Sequence, residues 1–412
     1  MKIKVKLSIL INFTLFFRFY LTISGLFQYH DFFSFFEKEI KTLEKNLEQL
    51  PQKNYEVYLT LYHLNQQIFY HPRTNKFDSN IDGLSEMFKN LNKAFVLAKI
   101  KTGMELLNRN RILNQQFSPP LLNKIVSYAE QNIADPIILI YCKIFGLLEK
   151  PTICQKDLRN LLVYFNENQI FFDSTEKSSI LNHVFNLSVR VLHNGDKESI
   201  DLSFELVQLF VSNNFYVKNN QINEIHFINV VISACLKKRF DFAKEFISAN
   251  QEFLADDKKK DTLEISETYI AFHRKDYQEA MKRIQFVSTT LASHKLLIKS
   301  ISIRCVYKFI EEDKYQEEVF QSIAKNFKNY LARDTTLNEL KKISYYNMIT
   351  TLKELVRIDN CPPSEKLALL TDLENQLNAT SDDKNDWLQP NACSTWLAEE
   401  INLMKSKCAS SK

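Results

Sequence analysis

The sequence predicts an all-α fold, a right-handed α-solenoid of stacked helical hairpins, from three observations. First, Gly and Pro are scarce: 5 Gly and 9 Pro in 412 residues, with no proline in the 210 residues between Pro151 and Pro362. Sheets and tight turns draw on both residues for special backbone angles, whereas helix interiors exclude them. Second, apolar residues recur at helical spacing along most of the chain, and no pair of segments reads as a strand pair. Third, one helix–turn–helix pattern returns at a period of about 37–38 residues, starting near Lys238, Lys275 and Asp313.

Composition sets the class. Hydrophobic residues at 45% and charged residues at 25% are ordinary for a folded chain and exclude disorder as the starting point. The net charge of +4 is local. The first 30 residues carry Lys2, Lys4, Lys6 and Arg18 with no acid, leaving 49 basic and 49 acidic residues in the rest. A neutral body offers no field for nucleic acid, so none is expected as a partner. The run Lys258, Lys259, Lys260 is flanked by Asp256, Asp257 and Asp261 and reads as a solvated face. Seven cysteines, Cys142, Cys154, Cys235, Cys305, Cys361, Cys393 and Cys408, form no CxxC pair. Several sit in apolar helical runs, so buried free thiols in a reducing compartment are expected.

Residues 1–30 form a basic, apolar segment. Leu7 to Phe27 has about the length of a membrane span, but Arg18 interrupts it at a cost of roughly 2.5–3.5 kcal/mol mid-membrane. A helix docked on the first repeat, a membrane anchor through residues 7–27 and a cleaved signal are the three readings. The expected location is cytoplasmic, with a membrane-anchored form as the alternative.

From there the helices follow in order. Phe36, Ile40, Leu43, Leu47 and Leu50 step by 4 and 3 along one helix face, and Pro51 ends it. Asn54 to Tyr70 is the next helix, stopped by His71-Pro72. Leu84, Phe88, Leu91, Phe95 and Ala98 mark a long helix towards Leu113. Ser118 before Pro119-Pro120, and Asp135 before Pro136, read as helix starts. Asp173 with Glu176 reads as a capping box. Ile138 to Phe145 has the composition of a buried strand, but its Asp-Pro start favours a buried helix. His193-Asn194-Gly195-Asp196 reads as a glycine-capped helix end. The expected divisions are residues 1–30, a helical region 31–170, repeats 171–360, and C-terminal helices 361–412.

The repeat is carried by KRFDFAKEFI, KDYQEAMKRI and DKYQEEVFQSI, aligned on Phe240, Tyr277 and Tyr315. One hairpin cannot bury its apolar face alone, and stacked neighbours form a continuous core. Lys275 to Ile284 resembles the tetratricopeptide signature: a turn, an aromatic at Tyr277 and a small residue at Ala280. Ala243 holds the small position one unit earlier, and Glu318 departs from it in the third. The 37–38-residue period exceeds that signature's usual 34. From Asp31 to Trp387 the chain also resembles a family of uncharacterised tetratricopeptide-like proteins. The likeness rests on FYHPRTNKF, LNKAFVLAKIKTGMELLNRNRIL, DFAKEFI, KDYQEA and KNFKNYLARD. That family has further helices where residues 1–30 stand here, and it brings no assigned activity.

Chemistry is sparse. No phosphate-binding glycine loop, nucleophile elbow or paired-Cys/His metal spacing is present, so no catalysis, cofactor or metal is expected. His63 with His71, and His183 with His193, each make too small a set for a site. Cys235 and His226 are too far apart on one helix for a nucleophile–base pair. Asn12, Asn186 and Asn378 head glycosylation triplets of a kind frequent by chance. A protein or peptide partner is expected on the surface lined by the first helices of the hairpins. By analogy with tetratricopeptide geometry, its contacts would be Tyr269, Phe272 and His273 in one unit and Tyr307, Ile310 and Glu311 in the next. Oligomeric state is not legible.

Overall fold

A computed structural model of the chain describes residues 38, 42–70, 81–114, 117–150, 153–193, 198–217, 219–312, 316–378 and 392–410. The segment 7–27, Phe36, Ile40, His71-Pro72, Asn194–Asp196 and Tyr315 lie outside them, as does the expectation for each. The described residues are mostly helical, with an isolated antiparallel bridge between Leu113 and Leu337 and no strand among them. No described helix is long and apolar enough to cross a membrane.

Two compact units divide the chain, residues 1–94 and 95–412. In the first, residues 42–48 are helical and Leu47 packs with Val57, Leu61 and Leu64, flanked by Leu43 and Leu50. Helix α1 (Tyr55–Tyr70) starts where the Asn54 side chain accepts the Val57 N–H at 3.1 Å. Helix α2 (Ile81–Ile112) contributes residues to both units.

α2 corrects the sequence reading by one face. Leu84, Phe88, Leu91 and Phe95 are exposed, Phe88 by 66%, while Met87, Ala94, Leu97, Ile100 and Met104 are buried. The helix carries two apolar stripes, and periodicity cannot tell which one is covered.

The second unit continues with α3 (Leu122–Asn132), α4 (Pro136–Glu149), α5 (Gln155–Asn168), α6 (Ser174–His193), α7 (Glu198–Ser212) and α8 (Glu224–Leu236). Then come α9 (Phe240–Asn250), α10 (Asp256–His273), α11 (Tyr277–Ile284), α12 (Ala292–Glu312), α13 (Gln316–Arg333), α14 (Glu339–Asp359), α15 (Pro363–Asn378) and α16 (Ser394–Ser410). Asp135 caps α4, accepting the Ile137 N–H, and the helix is buried on nearly every side, from Ile137 to Leu148. Ser118 is not a cap: α3 begins only at Leu122, after Leu121 has taken a left-handed φ of 63°. Asp173 accepts the Glu176 N–H at 2.8 Å, and the Glu176 carboxylate accepts from Lys101 and Tyr141 on other helices.

Consecutive helices pair, α6 with α7, α8 with α9, α10 with α11 and α12 with α13. Alternate helices also touch, α8 with α10, α10 with α12 and α12 with α14. Two of the turns are copies. Lys238 (φ 58°) and Lys275 (φ 67°) are left-handed, 37 residues apart. Each donates its N–H to the third residue back, Cys235 or Phe272. The next N–H, of Arg239 or Asp276, reaches the fifth residue back, Ala234 or Ala271. This is a Schellman-type helix end, here built on lysine where glycine is usual. Five residues past each lysine, Ala243 and Ala280 are fully buried where a larger side chain would push helices apart. Glu318, at the corresponding place in the third unit, is exposed.

Candidate functional site

The residues expected from sequence to contact a partner lie on α10 and α12, which pack in a row with α14. On α12, Ser300, Arg304 and Lys308 follow at steps of four and share one side of the helix with Tyr307. All four are buried, including both cations. α16 covers them. Its Trp396, Glu400 and Met404 also step by four, so one side of α16 meets one side of α12.

Trp396 lies 6.2 Å from the Phe272 ring and 6.0 Å, edge-on, from the Tyr307 ring. The Arg304 guanidinium sits 4.5 Å from the centre of the Phe272 ring and 5.4 Å from that of Trp396, a cation held against two aromatic faces. Its Nε donates to the Ser300 carbonyl at 3.1 Å. One turn on, Lys308 Nζ donates to Glu400 Oε2 at 2.6 Å, with both side chains only 8% exposed. The Tyr307 hydroxyl donates to Met404 Sδ at 3.6 Å. Ser300 Oγ and Cys393 Sγ are 3.4 Å apart, and the Ala392 N–H reaches the Ser344 carbonyl on α14 at 2.8 Å.

α16 also enters the apolar core. Leu397 and Ile401 join the buried cluster that contains Leu370, Leu373 and Leu377 of α15. Lys405 pairs with Glu374 of α15 at 2.6 Å. α16 also touches α6, more than two hundred residues earlier in the chain.

The electrostatics follow from burial. The Tyr269 and Tyr345 hydroxyls are pushed well above their usual range by desolvation. Burial first, then Arg304 and Lys238, hold His273 down to about 3, so it is neutral. Burial also lowers the Lys341 ammonium. The buried thiols Cys142, Cys235 and Cys305 are raised to about 12 by desolvation and are poor nucleophiles.

Of the six contacts expected from sequence, Tyr269, Phe272 and Tyr307 are buried, and Phe272 and Tyr307 grip Trp396. His273 stacks on Tyr269 at 6.2 Å, and Ile310 is half-buried against the same core. The Glu311 side chain lies outside the description. Sequence reasoning missed Arg304, Lys308, Trp396, Glu400 and Met404. The spacing of the last three, with one of only two tryptophans leading, was the signal available.

Elsewhere, Glu176 accepts from Lys101 at 2.6 Å and from the Tyr141 hydroxyl at 2.5 Å, joining α2, α4 and α6. Both carboxylate oxygens are engaged, which makes this a tie between helices. A surface hollow of about 320 Å³ beside the Lys238 turn is lined by Lys238, Arg239, Asp241, Glu245 and Arg274 among others, all five exposed. Among the described residues no group of three or more His, Cys, Asp or Glu could hold a metal ion. No family profile, curated protein or solved structure matches the chain.

Proposed function

We propose that the chain is a tetratricopeptide-like, right-handed α-solenoid that acts as a non-catalytic scaffold for a protein or peptide partner. The observation that carries this reading is the repeated turn: left-handed Lys238 and Lys275 with matching hydrogen bonds, each followed by a fully buried alanine. A unit that recurs in backbone geometry as well as in sequence is what stacked-hairpin arrays are made from. In such arrays the first helices of the hairpins form the binding surface, here α10, α12 and α14. The step from fold to binding rests on analogy with arrays of this kind. The near-equal acidic and basic content beyond residue 30 supports a protein or peptide over nucleic acid.

The cytoplasm is the proposed location, because three fully buried free thiols, Cys142, Cys235 and Cys305, suit a reducing compartment. Recovery of the native protein only with membranes after a high-salt wash would replace this by the anchored form. For the scaffold itself, a photo-crosslinking residue at Ile310 in cells should capture a partner that the same residue at the exposed Gln278 does not. The same set of captured proteins at both positions would refute it.

A further inference from the structure

We propose that α16 is an internal ligand of the face formed by α10, α12 and α14. The partner of that face would then be an amphipathic helix carrying an aromatic residue, an acid and a thioether at positions i, i+4 and i+8. The proposal rests on the scaffold reading and names the chemistry of its partner.

The contact has the composition of an interface. Its centre is an aromatic anchor, Trp396, set between Phe272, Tyr307 and the Arg304 guanidinium. Aromatic and arginine side chains of this kind dominate binding at protein interfaces. Beside it, Lys308 and Glu400 are both buried and paired at 2.6 Å. A buried ion pair adds little net stability over apolar packing, but it sets register and partner. When the helix leaves, both charges regain their hydration, which lowers the cost of opening relative to an all-apolar layer. Leu397 and Ile401 of α16 lie in the buried cluster to which α12, α13, α14 and α15 all contribute, and Lys405 pairs with Glu374 of α15. α16 is therefore held to α15 by the shared apolar cluster and the Lys405–Glu374 pair, and latched to α10 and α12 by the Trp396 aromatic contacts and the Lys308–Glu400 pair. A helix laid into a helix-lined groove is read through anchors at such spacing. A partner must supply a ring for Phe272 and Tyr307 and a carboxylate for Lys308.

Native-state hydrogen exchange on the full chain tests the latch without any variant. The amides of Ser394–Ser410 should exchange through an opening that leaves α10, α12 and α14 protected. Exchange of α16 only together with α12 and α14, at every denaturant concentration, overturns the proposal. A labelled peptide of residues 392–410 supplies the second readout, by fluorescence anisotropy. In the wild-type chain the face is occupied, so the peptide should bind about ten-fold or more weakly than to a folded Glu400→Lys chain, whose own latch is broken. A peptide carrying Glu400→Lys should bind neither. Equal affinity of the unmodified peptide for both chains overturns the proposal. A chain that binds its own peptide but captures no partner at Ile310 would fail as a scaffold and keep the latch. A partner captured there in equal yield with and without Glu400→Lys would fail the latch alone.

Discussion

α2 and α12 invert the usual expectation about what is inside. The stripe Leu84, Phe88, Leu91, Phe95 on α2 is apolar and exposed, whereas Arg304 and Lys308 on α12 are cationic and buried. Burial is decided by what lies across a helix face, and residue type only sets the cost. α12 is covered by α16, which brings Trp396 and Glu400 to satisfy the two cations. An uncovered aromatic costs little, but an uncompensated buried cation costs several kcal/mol.

The strongest test of this contrast compares two phenylalanines. Phe272→Ala should lower stability by about 3–5 kcal/mol, since its ring is 3% exposed and supports Arg304 and Trp396. Phe88→Ala should change stability by no more than about 0.5 kcal/mol. Urea unfolding followed by far-UV circular dichroism reads both. A large loss at Phe88 would show that the α2 stripe is covered in solution.

Two ion pairs give the next contrast. Lys308→Met leaves Glu400 buried without its cation and should cost up to about 3 kcal/mol, the free energy of releasing α16 being the ceiling. Replacing Glu400 by Leu in the same chain should recover most of the loss. Lys89→Met, at the exposed pair with Glu86 on α2, should fall within about 0.5 kcal/mol of wild type. Equal effects at the two lysines would mean that Lys308 is hydrated.

The repeat register is tested by Ala280→Trp against Gln278→Trp. Ala280 is fully buried and Gln278 exposed, so the first should cost about 1–3 kcal/mol and the second almost nothing. Equal urea midpoints would show that the hairpin contact is misplaced.

The smallest effect is set by pH. His273 is held down to about 3 in the fold, against about 6.5 in an unfolded chain. Below pH 6.5 the unfolded state takes a proton that the native state refuses, so stability falls as pH falls and is untouched by this group above 6.5. The loss should reach about 1.4 kcal/mol at pH 5.5, and His273→Gln should remove that share of the slope. An unchanged slope would place His273 in water.

Much of the helical layout was legible. Asp135-Pro136 marked a real helix start, Ala243 and Ala280 marked real contacts, and Ile138 to Phe145 is a buried helix. These signals are local, since a cap, a small residue or an apolar run acts on its own turn. What the sequence did not show arose from one unusual backbone angle and from contacts between distant helices. Ser118 with two prolines looked like a cap, yet Leu121 in a left-handed conformation delays the helix to Leu122. Glu176 does donate its N–H to Asp173 as a cap requires, but no local pattern announced that its carboxylate would also bind Lys101 and Tyr141. The departure read at Glu318 in the third unit agrees with its exposure.

By itself the sequence determined the all-α class, most of the helices and the two matching turns at Lys238 and Lys275, because 3.6-residue spacing and turn chemistry act within a few residues. Only the tertiary structure decided which of two apolar stripes on α2 is buried and which two cations on α12 lose their water. It also showed that the last helix lies across the face where a partner was expected. Those outcomes depend on contacts such as Lys308 to Glu400, 92 residues apart in the chain. No local pattern encodes a partner at that distance, because the free energy that selects it arises only when both helices are already in place.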